Sequence, residues 1–109
     1  GCGGDRDRTK RPRMGAVAGA LADVAVVTSD NPRTEVPMDI ITDILPGLEG
    51  APAEVVVEPD RRAAIRRALS LARAGDTVVL AGKGHETYQE VDGVEYHLDE
   101  REEIAAYFA

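Results

Sequence analysis

Apolar positions along this chain follow two rhythms that take turns. Short unbroken runs alternate with stretches in which apolar residues recur three or four apart, the periods of strand and helix. Residues 14–22 (Met-Gly-Ala-Val-Ala-Gly-Ala-Leu-Ala) predict a first helix, weakened by Gly19. Residues 24–28 (Val-Ala-Val-Val-Thr) are a β-branched run suited to a strand buried on both faces. Pro37 opens a second helix, where Ile40, Ile41, Ile44, Leu45 and Leu48 share a face until Pro46 and Gly47 break it. Residues 54–57 predict a second strand. Asp60 is placed to cap a third helix. Its apolar face is Ala64, Ile65, Ala68, Leu69 and Ala72, opposed by Arg61, Arg62, Arg66 and Arg67, and Gly75 is placed to end it. Residues 77–81 (Thr-Val-Val-Leu-Ala) predict a third strand. Asp92-Gly93 between residues 87–91 and 94–98 predicts a hairpin. Asp99, with Glu102 three residues on, predicts the cap of a C-terminal helix.

This alternation predicts one α/β domain over residues 1–109, a mostly parallel sheet with helices on its faces and the hairpin as an antiparallel edge. The opening Gly1-Cys2-Gly3-Gly4 reads as the loop that follows a strand. A first strand is therefore expected upstream of Gly1, and a chain without it is expected to fold poorly.

Composition refines the picture. With no Trp, three Tyr and one Phe, the core has to be aliphatic. The net charge of −7 argues against a general nucleic-acid or anionic-membrane binder. Yet residues 5–13 carry five of the thirteen Lys and Arg, a local basic patch better suited to a small anionic ligand than to a polymer. The single Cys2 forbids an internal disulfide and fits a reducing compartment. No apolar run approaches membrane-span length and no secretory leader is evident, so a cytoplasmic setting is expected.

In parallel α/β sheets, ligands sit outside the carboxyl ends of the strands. Three polar loops hold such positions: residues 3–8, residues 29–33 and residues 82–86. In the second, Pro32 stiffens the chain and holds Asn31 extended, which fixes where Arg33 points. Arg33 offers a planar fork that matches a carboxylate, and Asn31 offers both a donor and an acceptor. A zwitterionic amino acid needs that mixture; a lone Asn-Pro-Arg would equally serve as an ordinary turn. In the third loop, Gly82 and Gly84 allow close approach, and Glu86 could receive an ammonium or simply be a solvated hairpin acid. His85 could be a base or merely exposed. Lys83 suggests a phosphate loop, but Gly84 follows it where Ser or Thr is required, so that reading fails. Arg6 is placed as a second carboxylate partner, or as a surface partner of Asp5 or Asp7. No His/Cys/Asp cluster has metal-site spacing, and Cys2 lacks a partner base.

Taken jointly, Gly1-Cys-Gly-Gly-Asp-Arg-Asp-x-x-Lys-Arg-Pro-x-Met14, Val-Thr-Ser-Asp-Asn-Pro-Arg-Thr-Glu35 and Ala-Gly-Lys-Gly-His-Glu86 resemble the C-terminal domain of the muramoyl-tripeptide ligases of the Mur ligase family. The resemblance covers essentially the whole chain. It implies a Rossmann-like fold and a place in peptidoglycan synthesis. In that family a glutamate γ-carboxylate is activated by ATP as an acyl phosphate, and the amine of an incoming amino acid attacks it to give an amide, ADP and phosphate. ATP and Mg2+ chemistry belongs to a central domain and the UDP-sugar to an N-terminal one; the C-terminal domain closes over the site and supplies the amino acid.

Matched by motif, the resemblance implies that Asp30, Asn31, Pro32 and Arg33 recognise meso-diaminopimelate. Arg33 would grip the distal carboxylate, Arg6 would add to carboxylate binding, and Gly82 with Glu86 would receive the distal ammonium. Lysine lacks that carboxylate, so Arg33 favours diaminopimelate. Lys10 and Arg11 are candidates for ATP contact after domain closure. Thr9 stands where many relatives carry Gly. The alternatives are a related ligase domain for another amino acid, such as L-lysine, and a non-catalytic α/β binding module.

Overall fold

The computed structural model describes residues 1–109. In chain order the elements are α1 (Lys10–Leu21), β1 (Val24–Val27), α2 (Pro37–Ile44) with a 3-10 turn over Leu45–Leu48, β2 (Glu54–Val57), α3 (Arg61–Leu71), β3 (Tyr88–Val91), β4 (Val94–His97) and α4 (Glu100–Tyr107). The α/β alternation read from the sequence is therefore present. No helix is long and apolar enough to cross a membrane.

β1 and β2 pair in parallel, Val24 opposite Glu54 through Val27 opposite Val57. Ala25 and Val27 point into a core with Ile40, Ile41, Ile44 and Leu48. Ile40 and Ile41 are 1% and 0% exposed. Each side chain of this kind contributes roughly 1.5–3 kcal/mol when withdrawn from water. Pro37 sits at the start of α2, where its missing N–H is no loss. Asp60 and Asp99 cap α3 and α4 by accepting from the Arg62 and Arg101 amides. Asp92 and Gly93 both have positive φ, 51° and 79°, the geometry that closes a two-residue hairpin.

Several expectations are corrected. α1 begins at Lys10, not Met14. Pro12 falls within its first turn, where backbone N–H groups have no helical partner, so proline does not delay the start. Gly19 is not a weak point but a contact. A Cβ there would lie 2.8 Å from Leu48 Cδ2, and one on Gly15 2.5 Å from the Ile44 carbonyl. Glycine lets α1 lie directly on the 3-10 turn. α3 stops at Leu71, and Gly75 instead serves a turn closed by the Asp76 amide on the Arg73 carbonyl, at 2.9 Å. Arg61 is not on the exposed face; it is 3% exposed.

The expected third strand, residues 77–81, belongs to no ladder. An apolar groove of about 870 Å³, walled by α1 and α3, lies between this segment and β1. Its backbone makes no main-chain hydrogen bonds, and Val79 is 76% exposed. Nor is the hairpin an edge of the parallel sheet. β3 and β4 form a separate antiparallel pair, whose one strand-type bridge to the rest runs between Val91 and Arg33.

The tightest joint is Gly47, where an added Cβ would collide with the Pro12 carbonyl of α1. Gly47→Ala is expected to cost about 1–3 kcal/mol, the range for forced overpacking. Urea unfolding of both proteins measures it; an unchanged midpoint would show that α1 and the turn can separate freely.

Candidate functional site

Asn31 is the point at which the three polar loops meet. Its carbonyl accepts from the Gly4 amide at 2.8 Å, which joins the first loop to the second. Its side-chain Oδ1 accepts from Lys83 Nζ at 2.7 Å and from the Glu90 amide at 3.0 Å, which joins the third loop and β3. Gln89 adds a bond from Nε2 to Ser29 Oγ at 2.8 Å. Gly4 has to be glycine here, because a Cβ would run into the Pro32 backbone.

Arg33 is held in the left-handed region, φ 51°, an uncommon conformation for a residue with a side chain. Two hydrogen bonds to the hairpin keep it there: its amide donates to the Glu90 carbonyl at 3.1 Å, and the Asp92 amide donates to its carbonyl at 2.6 Å. The aim of Arg33 is thus fixed by β3 as well as by Pro32. Its Nη1 donates to the Gly4 carbonyl at 2.9 Å, and its Nε lies 3.6 Å from a Glu90 carboxylate oxygen. Arg6 is exposed and makes no ion pair with Asp5 or Asp7, the bland alternative. Those acids are engaged elsewhere, Asp5 by Thr34 and Asp7 by Thr9. Arg6 and Arg33 flank Gly3: a Cβ there would lie 2.9 Å from Arg33 Nη1 and 3.5 Å from Arg6 Cγ.

In the third loop, Gly82 turns with φ 113° beside Asp30; a Cβ on it would lie 3.9 Å from Asp30 Oδ2. Glu86 accepts from the Tyr88 hydroxyl at 3.3 Å and lies 3.7 Å from Lys83 Nζ. The Glu86 charge pushes the Tyr88 phenol up. His85 is exposed. The Arg33 guanidinium and the Arg6 stem therefore meet at Gly3, while the Asp30 and Glu86 carboxylates flank Lys83 Nζ, which Asn31 Oδ1 also holds. Such divided polarity can receive an anion at one end and a cation at the other. No group of three His, Cys, Asp or Glu side chains is arranged to hold a metal ion.

Buried cations are what sequence reasoning missed. Lys83 is 2% exposed, held by Asn31, by the Tyr88 carbonyl at 3.0 Å and by Asp30 Oδ1 at 3.2 Å. The Asp30 contact lies outside hydrogen-bond geometry and acts by charge alone. Arg11, a candidate for ATP contact, is instead 1% exposed and bonded to Glu35 at 2.8 Å, Asp43 at 2.8 Å and the Gly3 carbonyl at 3.2 Å, with its Nε buried and unpartnered. Arg61 bonds Glu100 at 3.1 Å and the Ser29 and Ala81 carbonyls at 3.0 and 3.3 Å. In the sequence these residues look like surface charge; only Lys83, set between Gly82 and Gly84, carried a local hint otherwise.

Residues 1–84 match the family described as Mur ligase, glutamate ligase domain. This chain belongs to the Mur ligase family. The domain is 58% identical over 103 residues to the UDP-N-acetylmuramoyl-L-alanyl-D-glutamate–2,6-diaminopimelate ligase of Synechococcus elongatus, covering 94% of this chain and 20% of that protein. It is 53% identical over 104 residues to the ligase of the same name from Clostridium perfringens, covering 95% of this chain and 21% of that one. A solved structure of a ligase of this name superimposes with a TM-score of 0.92 at 47% identity, over 98% of this chain and 22% of the other. The chain thus spans about a fifth of the length of the curated relatives it matches.

Within this Mur ligase domain the Arg11–Glu35 pair sets an acid limit. Arg11, then the Asp5 amide, hold the Glu35 carboxyl down to about 2 from an ordinary 4.5. A carboxyl lowered by folding stabilises the fold above its ordinary value and loses that contribution as pH falls through the folded one. Stability is expected to drop between pH 4.5 and 2. Glu35→Gln is expected to be less stable at pH 7 and to flatten that slope. Denaturation across this pH range measures both, and parallel slopes would remove Glu35 as the cause.

Proposed function

We propose that residues 1–109 are the C-terminal, amino-acid-binding domain of an ATP-dependent ligase that joins meso-diaminopimelate to UDP-N-acetylmuramoyl-L-alanyl-D-glutamate in peptidoglycan synthesis. The observation that carries this reading is the polarity of the loop cluster, with Arg6 and Arg33 flanking Gly3, and Asp30 and Glu86 on either side of the third loop's Lys83. The names borne by relatives at 53–58% identity support it.

On this reading Arg33 pairs with the distal carboxylate of meso-diaminopimelate and Arg6 adds a second cation. Asn31 orients the ligand, with Asp30 and Pro32 shaping its loop, while Glu86 and the Gly82 carbonyl receive the distal ammonium. The remaining amine is left free to attack the acyl phosphate. ATP, Mg2+ and the UDP-linked dipeptide bind mainly to domains outside these residues, and the whole enzyme works in the cytoplasm. Specificity follows from the same pairing. L-Lysine would leave Arg33 without its carboxylate, and a site built to pair a polar group can reject an analogue lacking it by roughly 10⁴-fold or more.

In the full-length ligase carrying this domain, Arg33→Ala is expected to abolish turnover of meso-diaminopimelate at concentrations that saturate the parent. Steady-state kinetics with meso-diaminopimelate and L-lysine test this. An unchanged Michaelis constant would remove Arg33 from the site, and a parent preferring L-lysine would replace the substrate. The 109-residue chain alone is expected to form no product from ATP and both substrates; product from it would overturn the division of labour between domains.

A further inference from the structure

We propose that Lys83, which nothing in the ligand assignment uses, is a positioning residue that fixes Asn31 as a hydrogen-bond donor toward the ligand's carboxylate; this rests on the functional reading above. Lys83 cannot itself meet a ligand. Its side chain is fully enclosed, and its ammonium faces Asn31 Oδ1, the Tyr88 carbonyl, Asp30 and Glu86.

The argument turns on which groups can donate. An ammonium carries only donors, and so does the Glu90 amide. Both point at the same atom of Asn31, at 2.7 and 3.0 Å. The end of the Asn31 amide that meets them has to be its oxygen. Its NH₂ is then forced to the other side, where Nδ2 has no partner within the chain, yet is not among the sealed polar atoms left unpaired. That unused donor lies in the segment that also carries Arg33, whose guanidinium shares the Gly4 backbone with the Asn31 carbonyl. An anionic oxygen paired with Arg33 is the acceptor this arrangement suits. Without Lys83 one of the two constraints on the amide disappears. Asp30 would then face Glu86 with no cation between them.

The test uses the full-length ligase. Lys83→Met keeps the length and apolar stem while removing the charge and all three donors. It is expected to raise the Michaelis constant for meso-diaminopimelate by roughly 10- to 100-fold, the scale of lost hydrogen bonds to charged groups. The constants for ATP and the UDP-linked dipeptide are expected to stay within about twofold. Asn31→Asp, which keeps the oxygen that Lys83 needs but removes the donor, is expected to give the same selective rise without depending on Lys83 being replaceable. In an Asn31→Ala background, Lys83→Met is expected to add little, because contacts acting through one residue are not additive. Unchanged affinity for meso-diaminopimelate in Lys83→Met, or a full additional loss in the Asn31→Ala background, would overturn the inference. So would an Asn31→Asp enzyme with normal affinity, should Lys83→Met fail to fold. A parent enzyme that does not use meso-diaminopimelate at all would instead sink the functional reading, and that is read first.

Discussion

The site depends on one buried asparagine that three separate segments bond at once. Asn31 bonds to the first loop through its backbone and to the third loop and the hairpin through its side chain. Each loop alone is a short polar segment with many conformations open to it, and ordering such a segment costs about 1–2 kcal/mol per residue in backbone entropy. Shared bonds to a single residue let the three segments order together. This is also why the Asn-Pro-Arg turn is more than a turn: its carbonyl and amide groups are spoken for from both sides.

Around that hub the chain uses buried cations as ties. Arg11, Lys83 and Arg61 each join segments far apart in sequence, and each meets at least one carboxylate and one backbone carbonyl. Withdrawing such charges from water is costly, and their partners offset rather than exceed that cost. What they contribute is definition. A cation with several fixed acceptors has one good geometry, whereas an apolar contact tolerates sliding. Loops that must present guanidiniums and carboxylates at set positions benefit from ties of that kind.

The same logic separates engaged groups from those with bonding capacity to spare. Lys83 and Arg61 are taken up by the protein, as is Arg11 apart from its Nε, whereas Arg6 has no internal partner and Arg33 uses only part of its donor set. Unspent hydrogen-bonding capacity on a held side chain is what distinguishes a residue available to a substrate. By this measure Arg33 and Asn31, each held by the fold with donors to spare, fit the ligand-binding role proposed for them.

The sequence by itself determined the local elements and the three loops. Apolar periodicity located α2, α3, β1 and β2; Asp60 and Asp99 announced their caps, and Asp92-Gly93 announced its turn, because all of these are contests between near neighbours in the chain. The motif residues of the three loops were legible for the same reason, as runs of unusual composition at strand ends. Tertiary structure decided the rest. Whether 77–81 joins a ladder depends on what lies beside it in space, and here an apolar groove does. Whether Gly19 is a flaw or a contact depends on Leu48 and Ala51, which local propensity does not register. Whether Lys83 and Arg61 face water or the interior depends on carbonyls and carboxylates many residues away, Asn31 among them. A charged side chain looks the same in sequence wherever it points; only the folded chain supplies the partners that make its burial affordable.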